Sequence, residues 1–273
     1  MSLYVASIAS GSNGNCYYVG NETEAVLIDA GISCREIERR MKRMGLSLQK
    51  VKAVFVSHEH SDHIRGLEVL VKKHFLPVYI TPPTLRQARL QPVTRILSFR
   101  PNDTITLGRL EITPFSKQHD AVDPYSFVVS CDGARVGVFT DIGAPCAQVT
   151  YHFGRCDAVF LEANYDEEML EQGSYPFHLK RRIRSSHGHL SNHQALQLFM
   201  QHRSAHLSHL FLSHLSQNNN CPQKAGDLFR NHCGPVQIVV ASRHEESGVY
   251  AIHAKGKTAA LRTNAAQMEL DLF

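Results

Sequence analysis

No apolar run in this chain approaches the ~20 residues that a membrane-spanning helix needs, so no spanning segment is expected. The opening residues Ser2-Leu3-Tyr4-Val5-Ala6-Ser7 lack the basic start and long apolar stretch of a signal peptide. A cytoplasmic location with no membrane partner is the expectation. The seven cysteines are odd in number and form no CxxC pair, which argues against a disulfide framework or a Cys-rich zinc knuckle. Most of them are expected as small buried apolar residues. Charge of one sign is scarce too: the net +4 is mild and says little about nucleic acid.

What is present is more telling. The 273 residues, 43% hydrophobic and 20% charged, can build a sizeable core. Strand-like runs rich in Val, Ile, Phe and Tyr recur, among them Leu3–Ala6, Tyr17–Gly20, Ala25–Asp29, Ala53–Ser57, Thr104–Pro114, Val136–Thr140, Ala158–Leu161 and Leu210–Ser213. Helical spacing separates them: Ile37, Met41 and Met44 form a stripe after a Ser33 cap. Leu67–Phe75, Ser191–His202 and Pro222–Asn231 repeat the pattern. Early hairpins followed by mixed strands and helices fit an α/β (α+β) sandwich better than a strictly alternating doubly wound sheet.

Seventeen histidines are unevenly placed. The run His58-Glu59-His60-Ser61-Asp62-His63 follows the apolar Ala53-Val54-Phe55-Val56 and packs three imidazoles and an aspartate into six residues. Imidazole suits Zn, Mn or Fe, and Asp adds a hard oxygen and negative charge. Four other apolar runs end in a metal-type residue: Asp29, His119, Asp141 and His214. Any one of these can be a turn or helix cap; together they describe a two-metal site.

In this order, Asp29, His58-x-His60-x-Asp62-His63, His119, Asp141 and His214 resemble the metallo-β-lactamase superfamily along nearly the whole chain. The resemblance implies a single-domain, four-layer αβ/βα sandwich over residues 1–253; residues 254–273, small, basic and polar up to an apolar end, read from their composition as a flexible tail. The resemblance also implies two divalent ions (Zn, Mn or Fe), one held by His58, His60 and His119 and one by Asp62, His63 and His214. Asp141 would bridge them, and Asp29 would sit behind the ligands and orient the His loop. Such a pair of ions activates water and steadies a developing oxyanion, so the implied class is hydrolase. Asp rather than Cys at 141 argues for phosphodiesters or thioesters over lactams.

Three segments bear on the substrate. The small-residue turn with Ser10, Ser12 and Asn15 reads either as a hairpin loop or as a nest of N–H groups and hydroxyls for phosphate. The run Lys180-Arg181-Arg182-Ile183-Arg184 reads either as a solvated helix face or as a phosphate-gripping surface. It leads into Gly188-His189-Leu190-Ser191, where His189 is a candidate to protonate a leaving oxygen. With Leu161-Glu162-Ala163-Asn164 and Leu212-Ser213-His214, these segments resemble the bacterial YycJ/WalJ-type branch. That resemblance implies a DNA exonuclease of 5′-to-3′ polarity in replication or mismatch repair, with Asn164 among the substrate contacts and Asp62, Asp141 and His189 in the catalytic machinery. A glyoxalase-II-like thioesterase, or a small-molecule or RNA phosphodiesterase, is the alternative on the same scaffold. A metal-holding redox or sensing protein is the weakest reading. Finally, Gln267-Met268-Glu269-Leu270-Asp271-Leu272-Phe273 resembles the peptide that docks repair proteins on the DNA sliding clamp, through Gln267, Leu270, Leu272 and Phe273. The alternative is a hydrophobic plug on its own domain.

Overall fold

The computed structural model describes residues 2–90 and 95–254. The proposed clamp peptide (Gln267, Leu270, Leu272, Phe273), the linker before it and all but residue 254 of the expected tail lie outside the described residues.

The chain first lays down β1 (Leu3–Ala9), β2 (Cys16–Gly20), β3 (Ala25–Ile28), β4 (Val51–Phe55), β5 (Val78–Tyr79) and β6 (Ile96–Leu97). A second series follows: β7 (Ile105–Leu107), β8 (Leu110–Ser116), β9 (Tyr125–Cys131), β10 (Ala134–Phe139), β11 (Ala158–Glu162), β12 (His209–Ser213) and β13 (Gln237–Val240). The last strand, β14 (Tyr250–Ile252), returns to pair with β1. Two seven-stranded sheets result, one ordered β14-β1-β2-β3-β4-β5-β6 and the other β13-β12-β11-β10-β9-β8-β7. In each, antiparallel hairpins give way to parallel pairs, β3-β4-β5-β6 and β10-β11-β12-β13.

Nine α-helices and a short 3-10 helix (Leu48–Lys50) complete the described residues: α1 (Cys34–Arg43), α2 (Ser61–Ile64), α3 (Leu67–His74), α4 (Pro82–Ala88), α5 (Ala147–Phe153), α6 (Glu167–Gln172), α7 (Phe177–Arg184), α8 (Asn192–His202) and α9 (Pro222–Arg230). The two-residue period of a strand decides which side chains meet which layer. In β3, Val26 and Ile28 join the core between the sheets, whereas Ala25 and Leu27 pack toward Ile37 and Met41 of α1 and Leu70 of α3. In β11, Ala158 and Phe160 face the inter-sheet core, while Val159 and Leu161 meet Phe153 of α5, Phe199 of α8 and Phe229 of α9. Every strand residue here is buried because both faces are covered. The layers therefore run helix, sheet, sheet, helix, as the resemblance implied.

Local signals account for much of this. The Ser33 side chain accepts the Glu36 N–H at the start of α1, and Ser191 with Gln194 forms a reciprocal capping box at α8. The expected single strand Thr104–Pro114 is instead the hairpin β7–β8, broken at Gly108, whose φ of +61° suits a tight two-residue turn. The short helices α4, α5 and α6 span only six or seven residues, too few turns for periodicity to stand out. Of the seven cysteines, Cys16, Cys34, Cys131 and Cys156 are buried and Cys146, Cys221 and Cys233 partly so, all as free thiols.

Candidate metal centre and active site

The chemistry-bearing side chains gather at the C-terminal ends of strands from both sheets. Asp29 follows β3, Asp141 follows β10 and His214 follows β12, and all three adopt positive φ, at 63°, 54° and 57°. Left-handed backbone is uncommon outside glycine, and Asp and His are among the side chains that tolerate it best. At each position the strand ends in a sharp turn that delivers its side chain to one shared centre.

The His loop after β4 is clamped from behind. Asp29 Oδ1 accepts the Ser57 N–H at 2.8 Å, and Oδ2 accepts the Ser57 hydroxyl at 2.8 Å. Oδ2 also lies 2.7 Å from His63 Nδ1. Ser57 Oγ in turn contacts His58 Nδ1 at 2.9 Å. One buried carboxylate thus sets the orientation of two rings, leaving their Nε2 atoms aimed at the centre. The backbone closes the same loop: Asn15 N donates to Asp62 O at 2.7 Å and Ala30 N to His63 O at 2.8 Å. Gly31 sits so close that a Cβ would fall 1.6 Å from Asp62 O, so only glycine fits there.

Two donor sets converge. His58 Nε2, His60 Nδ1 and one nitrogen of His119 form a first set, with His60 Nδ1 3.1 Å from His58 Nε2 and 3.4 Å from His119 Nε2. A tetrahedral ion with bonds of about 2.0–2.1 Å separates its ligands by roughly 3.3 Å, so these spacings suit one. Asp62, His63 and His214 form a second set: Asp62 Oδ2 lies 3.5 Å from His63 Nε2 and 3.4 Å from His214 Nε2. Asp141 stands between, its Oδ2 3.2 Å from His63 Nε2 and its Oδ1 3.3 Å from His214 Nε2 and 3.8 Å from His119 Nε2. Asp141 Oδ2 is buried with no well-aligned hydrogen-bond donor, the His63 ring beside it at 3.2 Å, a carboxylate oxygen of the kind a cation satisfies. The residues present fit divalent metal ions.

Electrostatics points the same way. Burial, reinforced by the charges of His63 and Lys117, holds His58 well below the usual imidazole range. Burial likewise takes His119 down to about 4. Both rings are therefore neutral, as ligands must be. Against the cost of burial, Asp141, Asp29 and Asp62 hold His63 well above its ordinary value. Asp141, Asp62 and Glu162 likewise override burial to raise His214 to about 10. Burial opposes ionisation of Asp141, but His214 and His63 keep it well below the carboxylate range. The carboxylates demand positive charge at this spot, which a divalent ion supplies more compactly than protons on two rings.

Two residues here had no assigned role in the sequence reading. Glu162, at the end of β11, is fully buried; its Oε2 accepts the N–H groups of Ile142 at 2.7 Å and Leu190 at 3.2 Å. Its Oε1 lies 2.7 Å from His189 Nδ1 and 3.2 Å from His214 Nδ1. Burial resists its charge, yet His189 and His214 bring it down to about 2. Glu162 ends an apolar strand just as Asp29 does, so the signal was there. Lys117 is the second: buried, it donates from Nζ to Thr140 O at 2.7 Å, bracing the turn that carries Asp141. No sequence pattern marks it.

His189 stacks on His214 with centroids 5.3 Å apart. With Nδ1 on Glu162, its Nε2 keeps no hydrogen bond among the described residues, and its side chain is 19% exposed. Other expected substrate contacts are placed differently. Ser10 is buried and its hydroxyl accepts the His214 N–H at 2.8 Å. Asn15 is buried too, donating from Nδ2 toward Asp62 Oδ2 at 3.2 Å. Asn164 donates to His214 O at 2.8 Å. In this structure the polar groups of these three face inward, where they brace Asp62 and His214. Ser12 remains exposed on its turn. The basic run forms α7, where Arg182 pairs with Asp120 beside His119, Arg184 pairs with the Glu171 carboxylate and Lys180 donates to the Glu171 carbonyl.

This combination of sandwich and strand-end donors defines the class: a metal-dependent hydrolase of the metallo-β-lactamase fold. The chain belongs to the β-lactamase superfamily domain family, which matches residues 24–214. It is 34% identical over 229 residues to exodeoxyribonuclease YycJ of Bacillus anthracis, covering 82% of this chain and 87% of that one. It is 31% identical over 239 residues to exodeoxyribonuclease WalJ of Streptococcus pneumoniae, covering 85% and 89%. The metallo-β-lactamase fold protein YhfI of Bacillus subtilis superposes with a TM-score of 0.71 at 18% identity, over 92% of this chain and all of that one, a likeness of fold. Among the described residues no helix is long and apolar enough to cross a membrane.

Proposed function

We propose that this protein is a two-metal exonuclease acting on DNA, with 5′-to-3′ polarity by family resemblance and a place in replication or mismatch repair. The observation that carries the reading is the kinship, over more than four fifths of the chain, with two proteins named exodeoxyribonucleases, joined to donor groups that suit two ions. In this reading His58, His60 and His119 hold one ion, Asp62, His63 and His214 the other, and Asp141 both. Bound divalent ions, Zn, Mn or Fe, acidify water and offset charge building on the phosphate.

The protein's own groups do the rest. Asp29, Ser57 and Asn15 fix the His loop. Glu162 ties His189 Nδ1, leaving Nε2 to pass a proton to the leaving oxygen. Arg181, with Lys180, Arg182 and Arg184, supplies positive charge along the approach from α7, and Ser12 stands exposed for a phosphate. The peptide ending in Phe273 docks on the sliding clamp, and deleting Gln267 to Phe273 should abolish that binding in a titration. The test of the activity is a labelled panel of duplex and single-stranded DNA and RNA, with and without 5′-phosphate, plus a model thioester, each with Mn and with Zn. Degradation of DNA with steep salt dependence supports the reading; turnover of the thioester alone contradicts it.

A further inference from the structure

Helix α7 carries an aromatic ring where a soluble surface has little use for one. Phe177 is 79% exposed. Lys180, Arg181 and Arg184 follow at i+3, i+4 and i+7, which places all four on one helix face. With Glu171 and Ser185 they line a surface groove of about 340 Å³. Arg181 makes no hydrogen bond or ion pair among the described residues, whereas Lys180 and Arg184 both engage Glu171. A lone exposed Phe is ordinary. A Phe ringed by cations on one face matches what single strands use: a stacking platform beside a charged track.

The groove is joined rigidly to the catalytic loop. His189 N donates to Ile183 O at 2.9 Å, and Gly188 N to Ser185 O at 2.9 Å. A Cβ on Gly188 would lie 2.2 Å from Ile183 O, so the chain folds back tightly against the last turn of α7. Gly188 O contacts His119 Nδ1 at 3.0 Å, and Arg182 pairs with Asp120 next to it. From Arg184 to Phe177 the helix rises about 10 Å, the span of roughly three stacked nucleotides at ~3.4 Å each.

Building on the nuclease reading, we infer that the Phe177–Arg184 face of α7 is a docking track for single-stranded DNA next to the cleavage site, with a base stacked on Phe177 and phosphates on Arg181 and its neighbours. Glu171 limits the track by occupying Lys180 and Arg184.

The test uses the metal-loaded full chain and a phosphorothioate 12-mer carrying 2-aminopurine, with hydrolysis of a nucleotide p-nitrophenyl ester followed in parallel. Phe177→Ala should weaken 12-mer binding roughly tenfold, as loss of one stacked base does, and abolish the stacking-dependent quench. Ester turnover should stay unchanged, since that substrate carries no further base to stack on Phe177. Phe177→Tyr should restore binding, and Glu171→Gln should tighten it. Equal 12-mer affinity for wild type and Phe177→Ala would overturn the inference. So would a fall in sedimenting mass for Phe177→Ala with DNA binding intact, which would assign the ring to self-association. Wild-type binding and quench without hydrolysis of ordinary DNA would instead remove the nuclease reading and leave the track standing.

Discussion

The first sheet sends His58, His60, Asp62 and His63 into the site from the loop and the one-turn helix α2 after β4, whereas the second sends His119, Asp141, Glu162 and His214 from the ends of four different strands. A loop has no ladder to hold its register, so the first set depends on a dedicated clamp: Asp29, Ser57, Asn15 and the close approach at Gly31. The second set inherits its spacing from neighbouring strands, β10-β11-β12, whose pairing aligns Phe139 with Leu161 and Glu162 with Ser213. The loop half rests on clamps outside any ladder, whereas the other half has the sheet beneath its own props, Lys117, Ser10 and Asn164. Substitutions that strip a ligand should therefore cost activity in either half, while those that touch support should hurt the loop half more.

The largest effect is expected at the ligands themselves. His60→Ala and Asp62→Ala should reduce DNA hydrolysis below detection in a single-turnover assay, while circular dichroism and the melting transition stay near wild type, because both residues lie outside the three hydrophobic clusters. Next come the supports. Asp29→Asn should weaken metal affinity by about 10–100-fold, read by competition with a chelator. His189→Ala should lower turnover by about 10²–10⁴-fold with a much smaller change in DNA binding, as fits a proton donor. Glu162→Gln should follow His189→Ala in direction, and the double variant should lose less than the sum, because the two act as a unit.

The smallest effect lies away from the centre. His152 stacks on Phe115 at 4.2 Å with its Nε2 buried and unpartnered, and burial takes it from 6.5 down to about 4. A ring that resists protonation when folded binds its proton more readily when unfolded. Stability from this group is thus complete above pH 6.5 and is lost as pH falls toward about 4. The difference in urea midpoint between wild type and His152→Phe should shift in the variant's favour across that window; a difference that is flat with pH would refute it.

The same contrast explains what could be read from the chain beforehand. The His58–His63 run is legible because its ligands are contiguous, and the strand-end Asp29, Asp141 and His214 because an apolar run stops at each. Glu162 carried that same strand-end signal but lacked a contiguous partner, since His189 lies 27 positions on. Lys117 braces Asp141 through a backbone carbonyl, a relation that exists only after β8 and β10 have folded together. Ser10 and Asn15 stand out through the small-residue turn and Asn164 through the family resemblance, yet the direction their polar groups face is set by tertiary packing. The layered fold followed from apolar runs, while the β7–β8 break turned on the single residue Gly108.

We propose that a two-ion centre in this chain drives phosphodiester hydrolysis. The most direct test is stepwise reloading of chelator-stripped protein, with metal content and turnover of labelled DNA measured on the same samples. No turnover is expected from the stripped protein and a rise to full rate as two ions per chain are taken up, with both uptake and rate lost in Asp62→Ala. Full turnover by the stripped protein, or by Asp62→Ala, would contradict it.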